Sequence, residues 1–434
     1  MGPSNSVSTT NVTPIWVERM CLRRWYAISG DAPDLELPAT APGTRYLIDT
    51  DPARDPKLNP ARTVKERVRR ILGREPKSPW HGVAGFSAIT EGWNSAAYTS
   101  RYGSSGSMLV YGGGHNDYFG SDVHAFDLES REWRRITDGF VSGNDDQYGA
   151  GARYANSVYP DGSPLPPHTY DYVQYDPVEN DYILFKGQTE LGPNVKAVSI
   201  PHLFNLDTLT WRHGPRHPTA ILNSGGWTTW DALRRVVWGH SGDDGGGNAF
   251  IGFSPDGDNG DGTFGRWTDQ LANKLPGIAN HNAMQIDPVR DLIVVSVHAR
   301  NELRAIDLAN PELEIERLES IGSKPVLQPY AALEYAPNLG CIVYFSPLDN
   351  GNVYLIEPPP GRLSRDALVD KWRWQACQPA PHTLDPIEDA ASRSRHPVNL
   401  SQTFGRFRIA SFGTIDLTIL VRHVDSAVYA MRLT

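Results

Sequence analysis

One stretch of the sequence decides the fold, because it contains three predicted strands in a row. It reads Ser107-Met-Leu-Val-Tyr-Gly-Gly-Gly-His115, then Asp122-Val-His-Ala-Phe-Asp-Leu128, then Glu132-Trp-Arg-Arg-Ile136. The first run is apolar and ends in glycines, which is typical of a buried strand followed by a turn. The last run carries a tryptophan. The three runs together define a unit whose other copies can be sought along the chain.

Later copies of this unit keep the apolar strand, and several close with a tryptophan strand. The apolar strands are Tyr182-Ile-Leu-Phe-Lys-Gly187, Arg235-Val-Val-Trp-Gly-His240, Leu292-Ile-Val-Val-Ser-Val-His298 and Cys341-Ile-Val-Tyr-Phe-Ser346. A repeat of roughly fifty residues that contains four short strands is typical of a β-propeller blade. The sequence therefore predicts an all-β chain arranged as a propeller.

The two ends of the chain complement each other. The segment Ala427–Leu433 supplies a late strand but stops before any tryptophan strand, whereas Leu22–Ser29 contains Trp25 and looks like the missing outer strand. We expect these ends to pair and to close the ring, because closure removes the open edge of a linear array. The prediction is six blades, or seven if Pro379–Pro397 contains a degenerate one.

The remaining sequence divides into further parts. We expect a disordered leader in residues 1–13, the closing outer strand in 14–30, an extended segment with a short helix in 31–84, and the propeller in 85–434. An insertion at 140–167 separates the first two blades, and loops of this length often bind ligands.

Composition excludes several function classes. The chain has 434 residues with 40 Gly and 34 Pro, and its net charge is -9, which argues against nucleic acid as a partner. No run is apolar enough for membrane insertion, and no signal peptide is visible. The three cysteines are an odd number and do not have the spacing of metal ligands, so neither a disulfide framework nor a cysteine metal site is expected. An extracellular, periplasmic or virion-associated location is favoured, and the oligomeric state is not determined.

The Gly112-Gly113 pair after an apolar strand, followed by the Trp133 strand, resembles the kelch repeat. The run Gly112-Gly-Gly-His-Asn-Asp-Tyr-Phe-Gly120 is similar to kelch-like propellers of bacteria and bacteriophages, and to polysaccharide lyases of the ulvan lyase type. The lyase resemblance implies a catalytic set with His115 as base and Tyr170 as acid. It implies that Lys186, where the family has Arg, and Asn94, where it can have His, bind the substrate carboxylate.

Propellers usually bind ligands at one mouth of the central channel, so residues near the starts of the inner strands are candidates. Besides the catalytic set, the predicted substrate-binding residues are Tyr118, Trp227, His240, His281, His298 and Arg300. No close spacing such as His-x-His favours a metal, and no cofactor is predicted.

Two functions remain open from the sequence. The first is a carbohydrate-active propeller, most concretely a lyase that cleaves an acidic, uronate-containing polysaccharide by β-elimination. The alternative is a non-catalytic propeller that binds a glycan or a protein on a phage tail or cell surface. In the second case the histidines would be hydrogen-bonded plugs of the channel, and Gly112 would serve only a turn.

Overall fold

The architecture is all-β, with strands grouped in four-stranded antiparallel sheets. The computed structural model describes residues 11–30, 33–40, 88–91, 93–113, 120–137, 157–188, 197–218, 222, 225–241, 250–268, 281–309, 316–349, 351–361, 364–377, 384–386, 403–422 and 426–434. Helices in these ranges are short. They are α1 (Ile15–Glu18), α2 (Ala88–Glu91), α3 (Ser364–Val369) and a 3₁₀ turn at His298–Arg300.

Blades 1 to 3 are built from strands that follow one another along the chain, from the inside of the ring outwards. Near the N-terminus, β1 spans Trp25–Ala27. The blade strands are β2 (Ala96–Thr99), β3 (Ser107–Val110), β4 (His124–Asp127), β5 (Glu132–Arg135); β6 (Val173–Asp176), β7 (Asp181–Leu184), β10 (His202–Asn205), β11 (Thr210–His213); and β12 (Trp227–Asp231), β13 (Val236–His240), β14 (Phe250–Asp258), β15 (Phe264–Thr268). A small hairpin of β8 (Gly187–Gln188) and β9 (Ala197–Val198) interrupts blade 2.

Blades 4 to 6 repeat this order. Their strands are β16 (Ala283–Asp287), β17 (Leu292–Val297), β18 (Glu302–Asp307), β19 (Glu316–Leu318); β21 (Ala332–Ala336), β22 (Cys341–Phe345), β23 (Val353–Glu357), β24 (Trp372–Cys377); and β25 (Phe407–Phe412), β26 (Ile415–Val421), β27 (Val428–Arg432). In blade 5, β20 (Ser320–Gly322) adds a parallel edge to β24.

The ring is closed by the two ends of the chain. Strand β1 pairs antiparallel with β27, with Trp25 opposite Met431, and so becomes the outer strand of blade 6. The inner strands β2, β6, β12, β16, β21 and β25 contact their neighbours in turn, and β25 contacts β2. The predicted six-bladed propeller with terminal closure is therefore confirmed.

The apolar core is divided among the blade interfaces. The described residues form six clusters of buried side chains, and each cluster lies between two neighbouring blades. The continuous apolar second strands explain this division, since a strand between two blades is covered on both faces. Burial of these faces, rather than the turns, holds the blades side by side.

Some predicted features lie outside the described residues: the leader up to residue 10, the helix within 31–84, and residues 140–156 of the insertion. The part of the insertion that is described packs on blade 1, where the Tyr111 hydroxyl donates to the Pro164 carbonyl at 2.5 Å. Asn11 and Val12 hydrogen-bond to blade 1 as well. No described helix is long and apolar enough to span a bilayer.

Candidate functional site

Most predicted site residues belong to one end of the ring, which we call the entry mouth because the inner strands begin there. Antiparallel pairing brings the start of each inner strand beside the end of the second strand, as in the pair Trp227 and His240. Two of the predicted residues, His115 and Tyr118, lie outside the described residues, so their roles stay predictions.

The glycine turn after β3 is a point of close chain approach. A Cβ on Gly112 would lie 2.6 Å from Asn94 Oδ1 and 2.8 Å from the Pro167 carbonyl oxygen, and its φ is +122°. The end of the insertion therefore packs directly against the turn, which needs glycine for both reasons. This supports the turn interpretation of Gly112.

Asn94 is part of the framework at this point. Its side chain is fully buried, and Oδ1 accepts a hydrogen bond from the Thr169 backbone N–H at 2.9 Å. The Asn94 carbonyl accepts a hydrogen bond from the Arg406 guanidinium. Because these bonds position the chain that leads to Tyr170, we treat Asn94 as a positioning residue. Its predicted contact with a substrate carboxylate stays a prediction.

Tyr170 and Lys186, two residues of the predicted catalytic set, lie in contact. Lys186 Nζ lies 4.8 Å from the centroid of the Tyr170 ring and 5.7 Å from that of Tyr172. The ammonium therefore rests against aromatic faces, which attract cations. Both residues are nearly buried, with relative exposures of 5% for Tyr170 and 4% for Lys186.

Burial lowers the pKa of Lys186 to about 7. Among the described residues, no carboxylate forms an ion pair with this ammonium, so no negative charge there offsets the cost of desolvating it. A lysine in this state changes its charge near neutral pH. It can also regain its proton when an anion arrives, since an opposite charge favours the ammonium form.

A second pair of predicted residues occupies blade 3. Trp227 and His240 stack with ring centroids 4.5 Å apart and an interplanar angle of 15°, and both are buried. The His240 carbonyl also accepts a hydrogen bond from the Tyr172 hydroxyl at 3.4 Å. This packing connects blade 3 to blade 2 and leaves little of either side chain for a ligand.

His298 and Arg300 lie on the 3₁₀ turn of blade 4. The half-buried imidazole of His298 contacts Asn282 Oδ1 at 2.8 Å through Nδ1, and burial lowers its pKa. Arg300 is exposed. Within the described part of the chain, neither residue forms a hydrogen bond or ring contact with Tyr170 or Lys186.

Four rings from blades 2, 4, 5 and 6 meet at the entry mouth. We call Tyr170, His281, Tyr330 and Phe404 the axial aromatic cluster; the ring centroids of its contacting pairs lie 4.6 to 6.2 Å apart. Sequence reasoning selected Tyr170 and His281 as site residues, left Tyr330 only as an inner-strand position and missed Phe404. The recurrence of an aromatic or histidine residue just before an inner strand was the signal that could have found all four.

One cavity in the described surface does not coincide with the entry mouth. This cavity, of about 480 Å³, lies at the edge of blade 5, between β20 and β24, and none of the predicted site residues lines it. Within the described ranges, no three His, Cys, Asp or Glu side chains come together as a group that could hold a metal ion.

Comparisons with known proteins add the following. No family profile matches the chain, and no curated protein matches its sequence. Its fold is similar to the crystal structure of the major Malassezia sympodialis allergen Mala s 1, at 9% sequence identity and a TM-score of 0.38, over 80% of this chain and 94% of that chain. At this level the similarity carries no argument about function, and the class of protein rests on the six blades themselves.

Proposed function

We propose that this protein is a carbohydrate-active propeller that cleaves a uronate-containing polysaccharide by β-elimination. The observation that carries the proposal is the Tyr170–Lys186 pair, in which a buried amine with a pKa of about 7 lies against a tyrosine ring at the entry mouth. Titratable groups with strongly shifted pKa values concentrate at functional sites. A uronate carboxylate is an anion that would favour protonated Lys186.

The roles follow from the bonds that change. The base takes the proton from the carbon beside the carboxylate, a carbon–carbon double bond forms, and the bond to the leaving oxygen breaks as the acid protonates that oxygen. Lys186 would neutralise the carboxylate and stabilise the enolate-like charge, and Tyr170 would give its proton to the leaving oxygen. The resemblance assigns the base to His115.

Variants of this pair test the proposal. The protein is incubated with polygalacturonate, alginate, hyaluronan and ulvan, and the ultraviolet absorbance of the unsaturated product is followed. We expect activity on at least one polymer, and a loss of about a hundredfold or more in Tyr170→Phe and Lys186→Met, the scale of general acid catalysis and of charge stabilisation.

Tyr182→Phe is the matched control, because Tyr182 is a buried tyrosine of the same blade whose hydroxyl has no partner among the described residues. We expect this variant to retain full activity. No absorbance change on any of the polymers, or unchanged turnover in Tyr170→Phe, contradicts the proposal.

A second candidate function is a non-catalytic propeller that binds a glycan or a protein. It is supported by the burial of His240 against Trp227, because in this case the histidines are expected to plug the channel and not to take part in catalysis. Binding to a polymer of the panel without formation of unsaturated product would support this function over the lyase.

A further inference from the structure

The backbone is strained at one equivalent position in several blades. Just before the inner strands of blades 2 to 6, φ is positive at Tyr170 (45°), Gly225 (72°), His281 (60°), Tyr330 (63°) and Phe404 (40°). Only one of these residues is glycine, although positive φ disfavours every other residue type found there. In blade 3 a glycine adopts the same positive φ, which shows that the backbone conformation does not require an aromatic side chain. The four rings in the other blades are therefore present for another reason.

Backbone hydrogen bonds between blades fix this geometry. The N–H of Tyr170 donates to the Trp93 carbonyl at 2.6 Å, that of His281 to Gly225 at 2.8 Å, and that of Tyr330 to His281 at 3.0 Å. Each bond joins one blade to its neighbour at the entry mouth. Strained conformations persist where the surrounding structure determines them, and they concentrate at ligand sites.

The four rings of the axial aromatic cluster differ in burial. Tyr170 and Phe404 are nearly buried, with relative exposures of 5% and 3%, whereas His281 and Tyr330 are half-buried. Farther along the channel, Arg408 fills the space next to Gly405, where its guanidinium meets Asp171. Because Arg408 fills the channel on that side, a ligand would reach Tyr330 and His281 from the entry mouth.

Tyr170 connects this surface to the reactive pair. Its ring centroid is 6.2 Å from that of His281, and Lys186 Nζ lies 4.8 Å from the same ring. His281 and Lys186 therefore contact the same ring, so a glycan that rests on Tyr330 and His281 could extend past Tyr170 towards the lysine.

We propose that Tyr330 and His281 form a stacking platform for one pyranose ring of the glycan. Pyranose rings present faces of C–H groups, which pack on the electron-rich faces of aromatic rings, while their hydroxyl edges remain for hydrogen bonds. The assignment of a sugar as the ligand rests on the proposed function. The platform itself requires only that the rings be reachable from the entry mouth.

The strained backbone offers a clean test. Tyr330→Gly removes the ring at a position where the fold accepts glycine in blade 3, so the backbone conformation should be retained and the variant should fold. The binding of short oligogalacturonate and of uncharged cello-oligosaccharide is measured by calorimetry. We expect the dissociation constant for a probe that the wild type binds to rise about tenfold or more in Tyr330→Gly and in His281→Gly.

Tyr335→Leu is the control, because Tyr335 is a half-buried tyrosine near the far end of β21, the inner strand that follows Tyr330. This variant should bind as the wild type does. Unchanged affinity in a folded Tyr330→Gly protein overturns the platform, and so does the absence of binding of either probe to the wild type.

The outcomes separate the two proposals. Binding that depends on Tyr330, without cleavage of any polymer, supports the platform and contradicts the lyase. Cleavage with the same KM in Tyr330→Gly as in the wild type supports the lyase and contradicts the platform. Stacking of a flat nucleoside such as adenosine, with no binding of either sugar probe, would also overturn the assignment.

Discussion

At the scale of a single residue, Lys186 is the most unusual group in the described part of the blades. Burial lowers its pKa to about 7, and aromatic faces rather than a carboxylate surround its amine. In an unfolded chain a lysine titrates near pH 10.4. The folded protein therefore holds this proton less tightly than the unfolded chain does.

The sign of the resulting pH dependence follows directly. The contribution of Lys186 to stability is fully present above about pH 10.4 and is lost as the pH falls towards about 7, at about 1.4 kcal/mol per unit of pKa shift. We expect Lys186→Met to be more stable than the wild type at about pH 6, with a smaller difference at about pH 9. Urea unfolding at both pH values measures this. A difference that does not change with pH contradicts the shifted pKa.

Binding of an acidic ligand provides a second test of the pKa of Lys186. Binding of a uronate near Lys186 should raise its pKa, so complex formation should take up a fraction of a proton at about pH 8. Calorimetry of oligogalacturonate binding in buffers of different ionisation enthalpy measures that uptake. The uptake should vanish in Lys186→Met, and its persistence there would assign the proton to another group.

At the scale of an element, the short strand β1 carries the closure of the ring. Trp25 is buried, and its indole N–H donates to the Gly351 carbonyl of blade 5 at 2.9 Å. Its ring also lies 5.9 Å from Phe345 and 6.5 Å from Phe407, so it packs between blades 5 and 6. The Trp25 side chain thus anchors this three-residue strand to blades 5 and 6, in addition to the pairing of β1 with β27.

Trp25→Ala should therefore cost about 3–5 kcal/mol of unfolding free energy, the range for truncating a buried tryptophan. Trp230→Ala is the comparison, because Trp230 is half-buried in an inner strand and its indole N–H has no partner among the described residues. It should cost clearly less. Chemical denaturation compares the two, and a smaller loss in Trp25→Ala would mean that β1 does not hold the ring closed.

At the scale of the whole molecule, Arg408 ties separate blades together inside the channel. Its guanidinium contacts Glu334 Oε1 at 2.6 Å and Asp171 Oδ1 at 3.1 Å, and donates to the Ala96 carbonyl at 2.8 Å. These partners belong to blades 5, 2 and 1, while Arg408 belongs to blade 6. Burial raises the pKa of Asp171 to about 7, against the opposing effect of Arg408.

Removing this cation should be costly, because two carboxyl groups would remain in the channel without it. We expect Arg408→Leu to lose about 3–5 kcal/mol near neutral pH. A carboxyl whose pKa is raised on folding stabilises the fold below its unfolded pKa and loses that contribution as the pH rises through its folded value. The cost should therefore be smaller at about pH 5 than at about pH 8, and Asp171→Asn should restore part of it. An equal loss at both pH values contradicts this account.

Much of the fold could be predicted from the sequence. The repeat of an apolar strand and a tryptophan strand predicted the blades, and the missing outer strand predicted the role of Trp25. The candidate site was harder to predict from the sequence than the fold. Tyr170 and Lys186 were identified through a resemblance, but neither the burial of Asn94 nor the place of Phe404 in the axial aromatic cluster can be inferred from local patterns.

The difference between fold and site has a physical reason. Each blade is made of hairpins between consecutive strands, so the sequence by itself determined the six blades through local alternation, turns and apolar runs. Contacts across the channel depend on where the closed ring places distant residues. Arg408 and Asp171 are 237 residues apart in the chain, and only the tertiary structure decided that they meet, because ring closure brings the inner strands of all blades to one axis.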